Sequence, residues 1–189
     1  MLKNKKEISI MNTLERVTVI TEIARRDANI GKTAMMKFLY LLQTVFSVPL
    51  GYDFEIYTYG PYSQAVMSDI EFAYHNGNIR ITPVEYPNGM CGYQINAEDS
   101  KASSEPDYLG TDKEYERAID SVVSFLSRKS AKELELFSTI VFVFDSFKKN
   151  GWEQTQDVIC TTVKSIKPHF ALETIQSAYD ELHEMKYIG

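Results

Sequence analysis

The chain has 189 residues, 44% of them hydrophobic and 24% charged, which suits one domain or two very small ones and excludes wholesale disorder. No apolar run approaches the ~20 residues that span a bilayer. The formal net charge of −6 argues against charge-driven nucleic-acid binding over the whole surface.

The N-terminus, Met1-Leu2-Lys3-Asn4-Lys5-Lys6-Glu7, is polar and basic. No apolar segment or small-residue cleavage site follows it, so no secretory signal is expected. Asn12 with Glu15 three residues on predicts a capping-box start. The helix it opens carries Leu14, Val17, Ile20, Ile23 and Ala24 at helical spacing as one buried stripe. Arg25-Arg26 closes that helix before a turn over 27–31.

A second helix is expected over about 33–47, with Met35, Met36, Phe38, Leu39, Leu41, Leu42, Val45 and Phe46 around most of its circumference. Such a helix belongs in the middle of a core. Pro49 and Gly51 end it.

Phe54, Ile56 and Thr58 then alternate with Glu55, Tyr57 and Tyr59, the period-two signature of a strand. Gly60-Pro61 is read as the end of that strand, with Ser63 capping the helix that follows. The alternation leaves two readings of Tyr57 and Tyr59: core rings, or rings on the outward face. The next helix shows Val66, Met67, Ile70, Phe72, Ala73 and Tyr74 and terminates at Asn76-Gly77. Short strands at 79–81, 84–86 and 92–95 flank Pro87-Asn88-Gly89, a strong hairpin signal.

Residues 97–110 turn polar and form a loop between 1–96 and 111–189. Thr111 with Glu114, and Ser130 with Glu133, predict two capping boxes. The helices they open run to about Ser127 and Lys149, the second stopped by Asn150-Gly151. Further helices are expected over 154–165 and 171–186, the last with Leu172, Ile175, Ala178, Tyr179, Leu182 and Met185 as its apolar face. The fold class is therefore mainly α (α+β): a compact helical domain of six to seven helices with a short strand and a small antiparallel hairpin.

Catalytic signals are sparse. Gly31-Lys32-Thr33 looks like the tail of a phosphate loop, but Arg26 stands where the first glycine is needed, and a helix precedes it where a strand is required. It reads as a turn with Thr33 as cap. His75, His169 and His183 lie in different segments without metal spacing. Cys91 and Cys160 are far apart, so reduced thiols in a cytoplasmic protein are expected, with no metal and no disulfide framework. Glu133 and Glu135, like Asp180, Glu181 and Glu184, read as solvated helix faces. No catalytic residue and no cofactor is expected.

Two motifs carry a family resemblance. Lys37-Phe38-Leu39-Tyr40-Leu41-Leu42-Gln43 on the second helix is followed, after a strand, by Tyr59-Gly60-Pro61. Their order and spacing resemble the Panacea domain, and the variant Gly-Pro-Tyr-Ser looks closer to a YwgA-like branch of it. The resemblance covers roughly Leu14 to Ile95, and the helices beyond Asn96 depart from it. It implies a non-enzymatic protein-binding role, antitoxin-like or adaptor-like, in a toxin–antitoxin or phage-defence setting. The partner would be a toxin or a protease substrate.

By position, Lys37, Tyr40, Gln43, Tyr59, Gly60 and Pro61 match the motif. Their implied role is structural, with Tyr40 and Gln43 supporting the turn at Gly60-Pro61. Tyr57, Tyr59 and Tyr62 are the candidate partner-binding rings. The alternative is a winged-helix-like DNA-binding regulator built from the 88–89 hairpin and the last helices. Its recognition helix would present Glu173, Gln176, Asp180, Glu181 and Glu184, an acidic face that repels phosphates.

Overall fold

A computed structural model describes residues 9–85, 89, 91–98 and 113–189. Among them are seven helices, a three-stranded antiparallel sheet and a two-stranded hairpin. The chain is mainly helical with a minor β element, as the sequence pattern predicts. The Thr111 capping box, most of the 97–110 loop and Pro87-Asn88 lie outside the described residues.

The first helix, α1 (Thr13–Arg26), starts where expected. Asn12 accepts from the Leu14 and Glu15 N–H groups, and Glu15 accepts in return from the Asn12 N–H at 2.7 Å. A cap of this kind contributes about 1 kcal/mol. The buried stripe is shifted from the expected one: Val19 and Thr21 are buried, whereas Leu14 is exposed.

Ile30–Gly31 forms a short strand, β1, that leads straight into α2 (Lys32–Thr44). Gly31 is therefore the N-cap of α2, and Thr33 lies inside the helix rather than capping it. Residues Met35 to Leu42 of α2 are all buried, which makes it the central helix.

After the hairpin strands β2 (Glu55–Tyr57) and β3 (Gly60–Tyr62) comes α3 (Gln64–His75). Ser63 stands at its N-cap, but its side chain makes no capping bond; its N–H donates to Met36 Sδ instead, at 3.4 Å. Strands β4 (Ile79–Glu85) and β5 (Cys91–Ala97) pair from Ile79↔Ala97 to Glu85↔Cys91, and β1 adds to the other edge of β5 at Ile30↔Ile95. The two short segments expected at 79–81 and 84–86 are thus one strand, with Pro83 tolerated on an edge. This sheet packs on α1, α2 and α3.

Helices α4 (Lys113–Leu126), α5 (Ala131–Asn150), α6 (Gln156–Ile166) and α7 (Leu172–Glu184) complete the fold. The capping box at Ser130–Glu133 is formed, and Gly151, with φ of 69°, terminates α5. Helix α5 packs against α2, β3, α6 and α7, while α4 packs against α1 and α2. One apolar core consequently runs across the expected boundary between 1–96 and 111–189.

A buried polar link ties α1, α3 and the segment after α2 together. Arg16 Nε donates to Asp69 Oδ2 at 2.6 Å, and the Tyr52 hydroxyl donates to the same oxygen at 2.8 Å. The Arg16 guanidinium also lies 5.1 Å from the Tyr52 ring centre. Breaking one side of such a buried pair is costly because it strands the other.

Candidate functional site

The aromatic segment 54–64 does not simply end at Gly60-Pro61. The chain reverses at Thr58-Tyr59, and Gly60-Pro61-Tyr62 returns as β3, with Tyr57 opposite Gly60 and Glu55 opposite Tyr62. Neither Thr58 nor Tyr59 takes a positive φ; Gly60 does, at 89°. That is the arrangement in which a left-handed glycine after the turn restores strand pairing. Pro61 fits because this strand is an edge and needs no N–H there.

Gly60 also lies hard against α5. A Cβ at that position would sit 3.0 Å from Ser138 Oγ, 3.3 Å from Thr139 Oγ1 and 3.4 Å from the Glu135 carbonyl. Two lysines hold the hairpin by its carbonyl oxygens. Lys37 Nζ donates to the Pro61 carbonyl at 2.5 Å. Lys167 Nζ donates to the Tyr57 carbonyl at 3.2 Å and to the Thr58 carbonyl.

Lys167 also forms an ion pair with Glu135 Oε1 at 2.9 Å, and His169 Nε2 lies 3.5 Å from that oxygen. Glu135 is therefore buried beneath the hairpin, not on the solvated face that its sequence context suggested. Desolvation, reinforced by the like charge of Lys167, pushes the Lys37 ammonium down to about 8; attraction to Glu135 works the other way.

The motif residues divide into three roles. Lys37 supports the Gly60-Pro61 corner. Gln43 acts elsewhere: its amide brackets Tyr52, accepting from the Tyr52 N–H and donating to the Tyr52 carbonyl, both at 2.8 Å. Tyr40 packs edge-on against Phe54, with ring centres 5.0 Å apart, and burial raises its hydroxyl pKa well above the ordinary range. The expected support of the Gly60-Pro61 turn by Tyr40 and Gln43 is thus replaced by Lys37. The other two order the approach to the strand.

Tyr57 and Tyr59 project outward, 69% and 64% exposed, which decides between the core and surface readings of these rings. Tyr62 is half-buried, with its ring centre 5.8 Å from that of Tyr57 and its hydroxyl donating to Gln64 at 2.7 Å. Between these rings and the start of α2 lies a cleft of about 270 Å³. Lys32, Thr33, Met36 and Lys37 line one side, the three tyrosines and Gly60 the other, and Met67 of α3 completes it.

Compared with protein-family models and with curated proteins, the chain matches none. What the site can do therefore rests on its own residues.

Among the described residues no three His, Cys, Asp or Glu side chains gather as metal ligands. His75 lies against Tyr74 and His183 stacks on Tyr179, so the histidines stay in separate places. Burial pushes the Cys160 thiol up to about 11, which disfavours the reactive thiolate. No helix among the described residues is long and apolar enough to cross a membrane.

Lys167, Glu135 and Lys32 are the site residues that sequence reasoning missed. Glu135 had a visible signal, since it is embedded in the apolar run from Leu134 to Phe144. Lys167 had none, because its hairpin partners lie 110 and 109 positions away.

Proposed function

We propose that this chain is a non-enzymatic intracellular protein-binding module, antitoxin-like or adaptor-like, that meets its partner through Tyr57, Tyr59 and Tyr62. The observation that carries this reading is a pair of outward tyrosines on a hairpin whose backbone is fixed from beneath by Lys37 and Lys167. Tyrosine supplies a large amphipathic contact at low entropic cost, and a fixed backbone lowers that cost further. The partner class, a toxin or a protease substrate, comes from the Panacea resemblance of the 37–43 and 59–61 motifs. A protein partner is favoured over nucleic acid because Glu173, Asp180 and Glu184 stand exposed on α7. In addition, the described residues of the β4–β5 hairpin pack with α1 to α3, whereas a wing would pack beside α6 and α7.

The test is a comparison of wild type with the Tyr57→Ala/Tyr59→Ala double variant in pull-downs from native host cells. Exposed substitutions of this kind change stability by only about 0.5 kcal/mol, so the variant should melt like wild type yet lose the partner. Retention of the partner by the variant would refute the interface. A gel shift with duplex DNA that weakens steeply with salt would establish the regulator reading in its place.

A further inference from the structure

The cleft between α2 and the hairpin holds cationic charge that no carboxylate lining it among the described residues balances. Lys37, 3% exposed, makes one hydrogen bond, to the Pro61 carbonyl, and no ion pair among the described residues. The acid nearest to it in effect, Glu135, is engaged by Lys167. Lys32, half-buried at the mouth, meets among the described residues the face of the Tyr93 ring, 4.7 Å away, and no carboxylate. Among the described residues no Asp or Glu lines the cleft, in a chain whose net charge is −6. An ammonium carries three donors, and burying one without an anion is costly. The arrangement is complementary to a carboxylate arriving from outside.

Size narrows the source of that carboxylate. The volume, about 270 Å³, falls below the roughly 300–1,000 Å³ of pockets for drug-sized ligands and suits one amino-acid residue. Met36, Met67 and Tyr62 give it apolar walls. A single residue offers both an apolar side chain and a carboxylate only when it ends a chain; an internal Asp or Glu would require a second residue in the same space.

We propose that this cleft captures the C-terminal residue of a partner protein, a large apolar or aromatic one, with its α-carboxylate on Lys37 and Lys32 adding attraction at the mouth. This rests on the protein-binding reading above and deepens it by naming the part of the partner that enters.

The experiment titrates N-acetyl-phenylalanine and its uncharged counterpart, N-acetyl-phenylalaninamide, into the full chain while the Met36 and Met67 methyl signals are followed by NMR. The acid should shift both methyls saturably at ~1 mM or above, as expected for one small group. The amide should bind at least about tenfold more weakly, having lost a charge-assisted pair. Lys32→Gln should weaken the acid about two- to threefold and leave the amide unchanged. Lys37→Met should erase the preference for the acid; if that variant does not fold, Lys32→Gln decides alone.

Equal binding of acid and amide, or no shift with either, overturns the proposal. If the tyrosine double variant loses its partner while acid and amide behave alike, the hairpin interface stands and capture of a chain end falls. If the acid is preferred while the double variant keeps its partner, chain-end capture stands and the tyrosine interface falls.

Discussion

Gly60 combines a φ of 89° with three α5 atoms at 3.0 to 3.4 Å from where a Cβ would lie. Gly60→Ala therefore incurs backbone strain of about 1–3 kcal/mol and a crowding cost of similar size. Gly151, with φ of 69°, has nothing within 4 Å of its Cβ position, so Gly151→Ala incurs the backbone cost alone. Denaturant unfolding should show the first variant losing about 2–6 kcal/mol and the second about 1–3 kcal/mol, with the first the larger; equal losses would mean that the α5 contact does not matter. Lys37 gives a second test at this scale. Its folded value, about 8, lies below the ordinary 10.5, so above pH 8 the unfolded chain holds the proton that the folded chain releases. Stability then rises with pH between about 8 and 10.5, and the charged-state penalty is fully present below that window. Against Lys37→Met, which removes the titration, wild type should gain up to a few kcal/mol from pH 7.5 to 10, climbing by at most about 1.4 kcal/mol for each pH step of one. A flat difference between the two across that range would sink the assignment.

The β2–β3 hairpin is too short to stand alone, and its clamps come from α2 and from the connector after α6. Lys167→Ala takes its closest cation from the buried Glu135 carboxylate and leaves two carbonyls without their donor. A loss of about 3–5 kcal/mol is expected. Lys167→Met/Glu135→Met should recover a substantial part of it, as a double-mutant cycle would measure. Hydrogen exchange should quicken in the hairpin well before it does in α2; uniform quickening would mean that Lys167 acts on global stability alone. These contacts also mark the limit of what the sequence reveals. The starts of α1 and α5 are legible because Asn12–Glu15 and Ser130–Glu133 close within a single turn. Alternation sets Phe54 and Tyr57 on opposite faces, but which face is inward is decided by packing against the core, which Phe54 joins and Tyr57 does not. Gly60-Pro61 looks like a terminator because local turn statistics dominate there, whereas its role as a return strand depends on contacts with Ser138 and Thr139. Lys37 stands out in the sequence as a motif position and a cation on an apolar helix, but the carbonyl it binds belongs to another segment.

At the scale of the molecule, α2 decides whether the chain is one folding unit or two. Phe38, Leu39, Leu41 and Leu42 are fully buried, and α2 packs on both α4 and α5 from the far side of the polar segment. Each fully buried side chain of this size contributes about 1.5–3 kcal/mol, while a whole domain is stable by only about 5–15 kcal/mol. The cost of uncovering several of them is comparable to that margin. The hairpin, too, loses its backing when α5 and Lys167 are removed. A fragment of residues 1–96 should therefore lack a dispersed NMR spectrum and a cooperative melt, as should 113–189 alone. Mixing the two should restore both, because the surfaces each fragment exposes are the ones the other covers. Cooperative unfolding of 1–96 on its own would instead place the hairpin and its tyrosines in a self-sufficient N-terminal domain, and the clamp from Lys167 would then be dispensable to them.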